Sequence, residues 1–532
     1  MATRSSSRGS YQHALLLFAI SLLAYFTAAK KVDPAEKHFL EGFHAYQNGE
    51  LQAAHDSFST CLKLNATRTD CMTNLASVLD DWENKQAAEE LYRAVLAVEP
   101  LHLDASYNLA LLLQGKPGAF KGDSAEGREA IGLYRTVLAA DKSRWDSWAN
   151  LAAALEELKE APLLTLKAYQ RGIIELERQH DAIEKNGEEA DEVEIGYLSK
   201  MYYGLGMRLA ELTPNQCGVL CNEEDHLLVG AENGDDRKAG VCKDNAQNAL
   251  RIAVQLDPTN YQAEHMLAAV MAQMAEEGGA ESTPTTVSKA SPAFVKALFD
   301  DFSDSFDEKL AELHYQVPKL LGDAAAQFVR TVRDGKPFAS TMDAGCGTGL
   351  AGPFLRPLTT GTLSGVDLSP KMLEKAKPMK TSSGTPIYDK LLAADLLQLT
   401  RGDILLTPIE QSVGVELIAA ADVLVYFGAL KELLQSFADL SAPSSVLIFS
   451  CERISSEEAG PDGWKLRPSG RFAHSRQYVE AMAKAAGGYE LLGYNEIVPR
   501  MEYGQPVLGH LFVFGRGGGG QESWMKARRA WD

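Results

Sequence analysis

The sequence is poor in cysteine, with 7 among 532 residues, too few for a scaffold held together by disulfides. It is also poor in positive charge: 52 Lys and Arg against 72 Asp and Glu give 52 − 72 = −20. Binding along a phosphate backbone needs clustered cations, so this balance argues against a nucleic-acid partner while leaving room for a local basic groove. Charged residues are 23% and hydrophobic residues 45% of the chain, an ordinary globular composition that excludes wholesale disorder. At about 150 residues per domain, the length allows roughly three domains or fewer. No zinc set is visible: Cys217 and Cys221 have C-x3-C spacing but no further ligand pair at metal spacing.

One apolar run stands out. Residues 14–29 carry no charge, with Arg4 and Arg8 before them and Lys30 and Lys31 after. A spanning helix needs about 20 apolar residues, with about 17 as a lower limit. Thr27-Ala28-Ala29 resembles a small-residue cleavage site. Residues 1–30 therefore read as a signal peptide or as a single N-terminal membrane anchor. The flanking charges, two against two, set no orientation. Asn65-Ala66-Thr67 is a glycosylation sequon, usable only in the secretory lumen. Cys217, Cys221 and Cys242 share one irregular stretch, in which a disulfide between two of them and three free thiols are both open. The expected location is the secretory pathway or a membrane-anchored state, with the side of the membrane undetermined.

The first half repeats with a period of 34. Ala54 aligns with Ala88, Phe58 with Tyr92, Leu62 with Leu96 and Leu64 with Val98. Asn74-Leu75-Ala76 returns as Asn108-Leu109-Ala110 and as Asn150-Leu151-Ala152, with Ala130 and Tyr134 in register after eight extra residues. Small residues recur where two helices cross closely and large ones where they fill the groove, as a helix-turn-helix repeat requires. The pattern resembles the tetratricopeptide repeat over about 35–180 and again over 245–275. This resemblance implies an α-helical superhelix over 35–275, interrupted by an irregular insertion at about 182–243. Its concave face would be either a platform for a protein or peptide partner or an intramolecular scaffold. Residues 276–290 are small and polar and read as a linker, and the glycine-rich tail 517–532 is expected to be disordered.

From about residue 320, short apolar runs alternate with helix-length segments. Strands are expected at Ser340–Ala344, Leu363–Val366, Lys390–Ala393, Val415–Ala421, Ser445–Cys451, Glu490–Ile497 and His510–Phe514. Helices are expected at 350–357, 369–377, 428–440 and 475–486. Such alternation predicts a mostly parallel sheet with helices on both faces. A short connection at Gly504-Gln505-Pro506 predicts that the last two strands pair antiparallel at an edge.

The informative motif is Asp343-Ala344-Gly345-Cys346-Gly347-Thr348-Gly349-Leu350, which leaves the first strand and opens a helix. Glycines there let a ligand approach the backbone without meeting a Cβ. Asp367 ends the second strand, where an acid can take both hydroxyls of a ribose, and Asp395 follows the third. All three acids sit at carboxyl ends of strands, the ligand-binding end of doubly wound sheets. The turn reads G-x-G-x-G, not G-x-G-x-x-G, and an acid at the strand end would repel a pyrophosphate but suit a cationic amine. S-adenosyl-L-methionine carries an ammonium, a sulfonium and a ribose and no phosphate, so the acids favour it over a nicotinamide dinucleotide.

These features resemble the class I S-adenosylmethionine-dependent methyltransferases, and more narrowly those that also carry tetratricopeptide repeats. The resemblance covers about 291–516. It includes Ser291-Pro292-Ala293-Phe294, Phe306-Asp307, Asp367-Leu368-Ser369-Pro370, Ala421-Asp422-Val423-Leu424-Val425-Tyr426 and the stretch Leu466 to His474. It implies a Rossmann-like seven-stranded domain. Asp343 with Gly345, Gly347 and Gly349 would hold the methionine end, Asp367 the ribose, and Asp395 would lie by the adenine; Cys346, Leu368, Met372 and Leu396 complete the expected cofactor-binding set. Cys346 reads as a packing or backbone contact and not as a nucleophile. Residues 379–390 and 399–414 look longer than the family's usual connections and read as surface insertions.

Methyl transfer from an activated cofactor chiefly asks the protein to position a nucleophile. A base is needed only where that nucleophile starts protonated. The catalytic candidates are Asp422, Tyr426 and His474. Arg467 and Arg471 are the substrate-binding candidates, as an arginine pair can take a carboxylate or phosphate. Salt bridging on a loop would explain the arginines equally well, and a cap or surface role would explain the histidine. Phe299, Phe302, Phe306 and Tyr315 lie at roughly helical spacing before the sheet, and the resemblance implies that they lid the cofactor. The expected function is methyl transfer to an unidentified small molecule or protein. The competing class is a helical scaffold with a non-catalytic methyltransferase-like domain.

Overall fold

The computed structural model describes residues 33–120, 124–158, 162–187, 190–213, 216–217, 241–276, 287–502, 504–517, 528–529 and 531. Residues 1–30, expected to be a signal or anchor, together with Cys221, most of the expected linker and most of the tail, lie outside the described residues. The chain divides into two compact units between Asn260 and Tyr261.

The first unit is all helix. Pro34–Gln47 is followed by Leu51–Leu64, Thr69–Asp81 by Lys85–Val98, Leu103–Gln114 by Ala125–Ala140, and Trp145–Glu157 by Pro162–Lys185. Connections of a few residues force most neighbours antiparallel. The 34-residue period marks equivalent environments: Ala54 and Ala88 are both fully buried, Phe58 and Tyr92 likewise, while Leu64 and Val98 are both 53% exposed. Leu75, Leu109 and Leu151 are buried in turn, each beside a buried alanine. Each such fully buried large side chain contributes roughly 1.5–3 kcal/mol. Cys61 and Cys71 form a disulfide across the loop joining the second and third helices.

The stretch expected to be irregular holds a 19-residue helix, Glu192–Ala210. The acidic run before it hid the apolar face of Leu198, Met201 and Leu209. Two glycines allow it to pack closely: a Cβ on Gly204 would lie 2.4 Å from the Tyr169 ring, and one on Gly206 would lie 2.8 Å from Leu250. Cys217 is bonded to Cys242, so a disulfide is the outcome of the two left open.

The second unit opens with the helix Tyr261–Glu276, so the division falls inside the stretch 245–275 that the period treats as one repeat. The helices Pro292–Phe302, Phe306–Glu312 and Val317–Thr331 follow, and then a sheet. Its strands are β1 (Thr341–Ala344), β2 (Leu363–Asp367), β3 (Lys390–Ala393), β4 (Val415–Ala420), β5 (Ser441–Arg453), β6 (Trp464–Leu466), β7 (Phe472–His474), β8 (Tyr489–Ile497) and β11 (Gly509–Arg516), with a separate hairpin of β9 (Met501–Glu502) and β10 (Gln505–Pro506). The order is β3-β2-β1-β4-β5-β11-β8. The first five strands are parallel, and β11 is antiparallel to both β5 and β8. The last two long strands thus pair antiparallel, with β8 at the edge.

Alternate strand residues feed two cores. Met342, Ala344, Ile418, Ala420 and Phe449 pack with Leu433, Phe437, Val479 and Ala483. Leu363, Leu417, Ala419, Ile448 and Val513 pack with Leu321, Ala325 and Phe328 of the helix Val317–Thr331. The sheet is therefore covered on both faces, which is why its parallel strands read as nearly continuous apolar runs. The helix expected over 350–357 is cut to Gly352–Leu355 and a 3-10 turn, Arg356–Leu358. Pro357 lacks the N–H needed to continue it. Residues 399–414 form two short helices closed by capping boxes, Thr400 with Asp403 and Thr407 with Glu410. In the tail, Trp531 lies against Gly493, and Arg528 donates to the Leu491 carbonyl and pairs with Glu490, so those two residues are docked on β8.

Candidate active site

The chain leaves β1 toward β2 on one side and returns to β4 on the other. That reversal opens a crevice beyond the carboxyl ends of the strands, the usual ligand site of such sheets. A cleft lies there, lined among others by Gly345, Gly347, Asp367, Leu368, Asp395, Leu396, Asp422 and Tyr426.

The turn after β1 depends on missing side chains. Gly345 has φ +67°, and a Cβ there would lie 2.3 Å from Val423 Cγ2. Gly347 has φ +54°, and a Cβ there would lie 3.7 Å from the Phe306 ring. Its N–H donates to Asp367 Oδ2 at 2.9 Å, while Asp367 Oδ1 accepts from Ser369 N at 2.9 Å. The second acid is thus fixed by two backbone amides on the wall of the cleft. Burial raises its pKa despite those bonds. Asp395 is fixed similarly, accepting from Leu397 N at 2.9 Å.

Asp343 departs from the expectation. It is buried and does not line the cleft; its Oδ2 accepts from the Tyr388 hydroxyl at 2.6 Å. Burial pushes its pKa up to about 7, opposed by the Tyr388 bond and reinforced by the Asp367 charge. The Asp343 carboxyl thus lies beneath the glycine turn, bonded to a tyrosine, and not on the lining of the cleft. Tyr388 was missed because it lies within 379–390, which reads as a surface insertion; in fact Ile387 and Tyr388 are buried. Cys346 is buried away from the cleft, with a thiol pKa raised by burial, in keeping with a packing role. Gly349 and Met372 also stand behind the lining, Met372 fully buried beneath its capped helix start.

The segment 287–315 roofs the cleft. Ala290 N donates to the Tyr426 carbonyl at 2.8 Å, Thr348 Oγ1 to Asp307 at 2.6 Å and Ser369 Oγ to Asp300 at 2.6 Å. Phe299 sits edge-on to both Phe306 and Tyr426, with centroids 5.8 and 5.6 Å away. Phe299, Phe306 and Tyr315 line the cleft; Phe302 does not, and lies under Lys309 at the surface.

Past Asp422 the cleft ends in charged side chains. Asp422 has φ +53°, a left-handed conformation that Asp tolerates better than most residues. Its Oδ1 accepts from Ser450 Oγ at 2.5 Å, and its Oδ2 from Arg500 at 3.2 Å. Arg500 is 4% exposed and also pairs with Glu452 and Glu502. Arg471 lines the cleft and binds Glu502. The neighbouring acids hold both guanidinium groups firmly charged. Arg500 lies outside every motif read from the sequence. Only its place just after β8 could have drawn attention to it.

Two candidates fall outside. His474 is fully buried, its Nε2 bonded to the Phe427 carbonyl and its Nδ1 without a partner; burial pushes its pKa down to about 4. It is a neutral core imidazole and not a residue of the cleft, because β7 points it inward. Arg467 pairs with Glu458 at the surface and does not line the cleft.

Residues 342–449 match the methyltransferase domain family. That span carries β1 through most of β5 and contains the glycine turn, Asp367, Asp395 and Asp422. Methyltransferase-like protein 27 of Homo sapiens is 36% identical over 81 residues, 15% of this chain and 31% of that protein. The chain thus spans about a third of that relative. Among solved structures, magnesium protoporphyrin IX methyltransferase from Synechocystis PCC 6803 with bound SAH is 16% identical, covering 42% of this chain and 99% of its own, with a TM-score of 0.31. MamA is 13% identical, covering 43% and 95%, with a TM-score of 0.27. Likenesses at these scores carry no argument about this chain. The second unit thus carries a stretch that matches a methyltransferase domain.

Proposed function

We propose that the second unit binds S-adenosyl-L-methionine and transfers its methyl group to an acceptor entering beside Asp422. The carrying observation is that the glycine turn and Asp367 face one cleft, with Gly347 N bonded to the Asp367 carboxylate. The residues fit the cofactor chemically. A Cβ-free turn leaves backbone exposed to the methionine end, the fixed Asp367 carboxylate suits a ribose diol, and Leu368, Leu396 and Phe299 offer apolar faces to adenine. Bound there, the cofactor supplies a methyl already activated by its sulfonium.

The chain's own part is positioning. Phe299 and Phe306 exclude water from above. Asp343, below the turn, supplies negative potential toward the amine without touching it. Asp422 and Tyr426 border the acceptor's path. Arg471 and Arg500 are matched by Asp422, Glu452 and Glu502, two cations against three anions. This set holds the Asp422 carboxylate in place and leaves little free cation for an anionic acceptor.

We read the first unit as a tetratricopeptide-like superhelix that docks a protein or peptide partner or substrate; the equivalent burial of residues 34 apart supports that reading. Calorimetric titration of the full chain with S-adenosylmethionine tests the enzyme reading. Binding that Asp367→Ala abolishes is expected; absence of binding by the wild type would leave only a helical scaffold.

A further inference from the structure

We propose that Asn65 carries an N-linked glycan and that the chain, catalytic unit included, resides in the secretory lumen. Asn65 follows the helix Leu51–Leu64, and Asn65, Ala66 and Thr67 are all exposed. Both Thr67 N and Thr67 Oγ1 donate to Asn65 Oδ1, at 3.2 and 3.1 Å. The third residue of the sequon is thus already folded back on the amide of the first, at an outward-facing turn. It is the sole N-x-S/T triplet in the chain.

The Cys61–Cys71 disulfide encloses this turn, and Cys217–Cys242 forms a second bond in the same unit. Disulfides persist in oxidising compartments, where the glycan donor also resides. The uncharged run 14–29 supplies a route of entry. No helix among the described residues is long and apolar enough to span a membrane. The undescribed stretch 218–240 carries eight charged residues, and 277–286 is only ten residues long, against the roughly 17 that a span needs.

The chemistry balances with a polyprenyl-diphosphate-linked oligosaccharide as donor. The Asn65 amide nitrogen forms a bond to the anomeric carbon, the bond from that carbon to the diphosphate oxygen breaks, and the nitrogen gives up one proton. The lipid diphosphate leaves.

The test is synthesis of the full chain, with an epitope at its C-terminus, in the presence of microsomes. Peptide-N-glycosidase should produce a one-glycan mobility shift. Asn65→Gln and Thr67→Ala should each lose it, and Thr67→Ser should keep it. The epitope should resist added protease until detergent is present. A wild-type chain that shows no shift, or an epitope digested without detergent, overturns the proposal. Because the readout is a covalent mass change, a variant's folding does not decide it. The result is also independent of whether the cleft binds S-adenosylmethionine.

Discussion

The Tyr388 hydroxyl donates to Asp343 Oδ2 at 2.6 Å, joining the loop before β3 to the end of β1 beneath the glycine turn. Both groups are buried. Tyr388→Phe leaves the carboxyl without its donor, which costs about 1–3 kcal/mol for a buried acceptor. Asp343 then titrates higher and is less ionised at neutral pH. The expected outcome is a lower denaturation midpoint with weaker S-adenosylmethionine binding at pH 7, read by urea melts and calorimetry.

The Asp343 shift also sets a pH dependence. Its folded pKa of about 7 lies above the ordinary aspartate value of 3.8, so between those values the folded state holds the proton and the unfolded state releases it. By linkage, this group's contribution falls as pH rises from about 4 to about 7, by an amount on the order of 4 kcal/mol at most. Asp343→Asn should flatten that slope in melts across this range. Cofactor affinity should run the other way, rising from pH 6 to 8 as the carboxylate ionises, and the asparagine variant should lose the rise. An unchanged binding profile in Asp343→Asn would refute a role for this charge.

Arg500 anchors three carboxylates from a site that is 4% exposed. Arg500→Met strips Asp422 of its ion-pair partner and leaves Glu452 and Glu502 to share Arg471. A loss of roughly 3–5 kcal/mol is expected, as for other broken buried pairs. Chemical denaturation measures it.

Gly345→Ala should abolish cofactor binding, since its Cβ would lie 2.3 Å from Val423 Cγ2 at a φ of +67°. The double variant with Val423→Ala relieves the clash but not the backbone strain, of order 1–3 kcal/mol. It should recover only part of the affinity in the same titration.

Reduction should unsettle the first unit selectively. The Cys61–Cys71 bond joins residues 10 apart, and closing such a loop is worth about 3 kcal/mol in the chain-entropy account. Calorimetric melts with and without reductant should show the helical unit's transition falling while the sheet unit's holds.

Much of this was legible in the residues. Every long strand was visible because a parallel sheet buried on both faces leaves apolar runs with turn residues between them. The glycine turn and Asp367 were legible because glycine suits a positive φ and a carboxylate can accept from two backbone amides. His474 misled because a histidine's chemistry is visible in sequence while the direction of a three-residue strand is not. Tyr388 and Arg500 were hidden for the opposite reason. A tyrosine in a polar loop and an arginine after an edge strand carry no periodic signal, and only tertiary packing brings them beneath the turn and behind Asp422. The helix Glu192–Ala210 was obscured by the acidic residues that start it.

Sulfur is divided by position within this chain. Among the described residues, the four paired cysteines belong to the helical unit, while Cys346 and Cys451 are unpaired and sealed inside the sheet unit. Burial raises both thiols well above their ordinary titration range, so almost no thiolate is available to an oxidant. The sheet unit can therefore sit in oxidising surroundings without a guardian reductant, chemically inert at the very element the other half needs for its integrity.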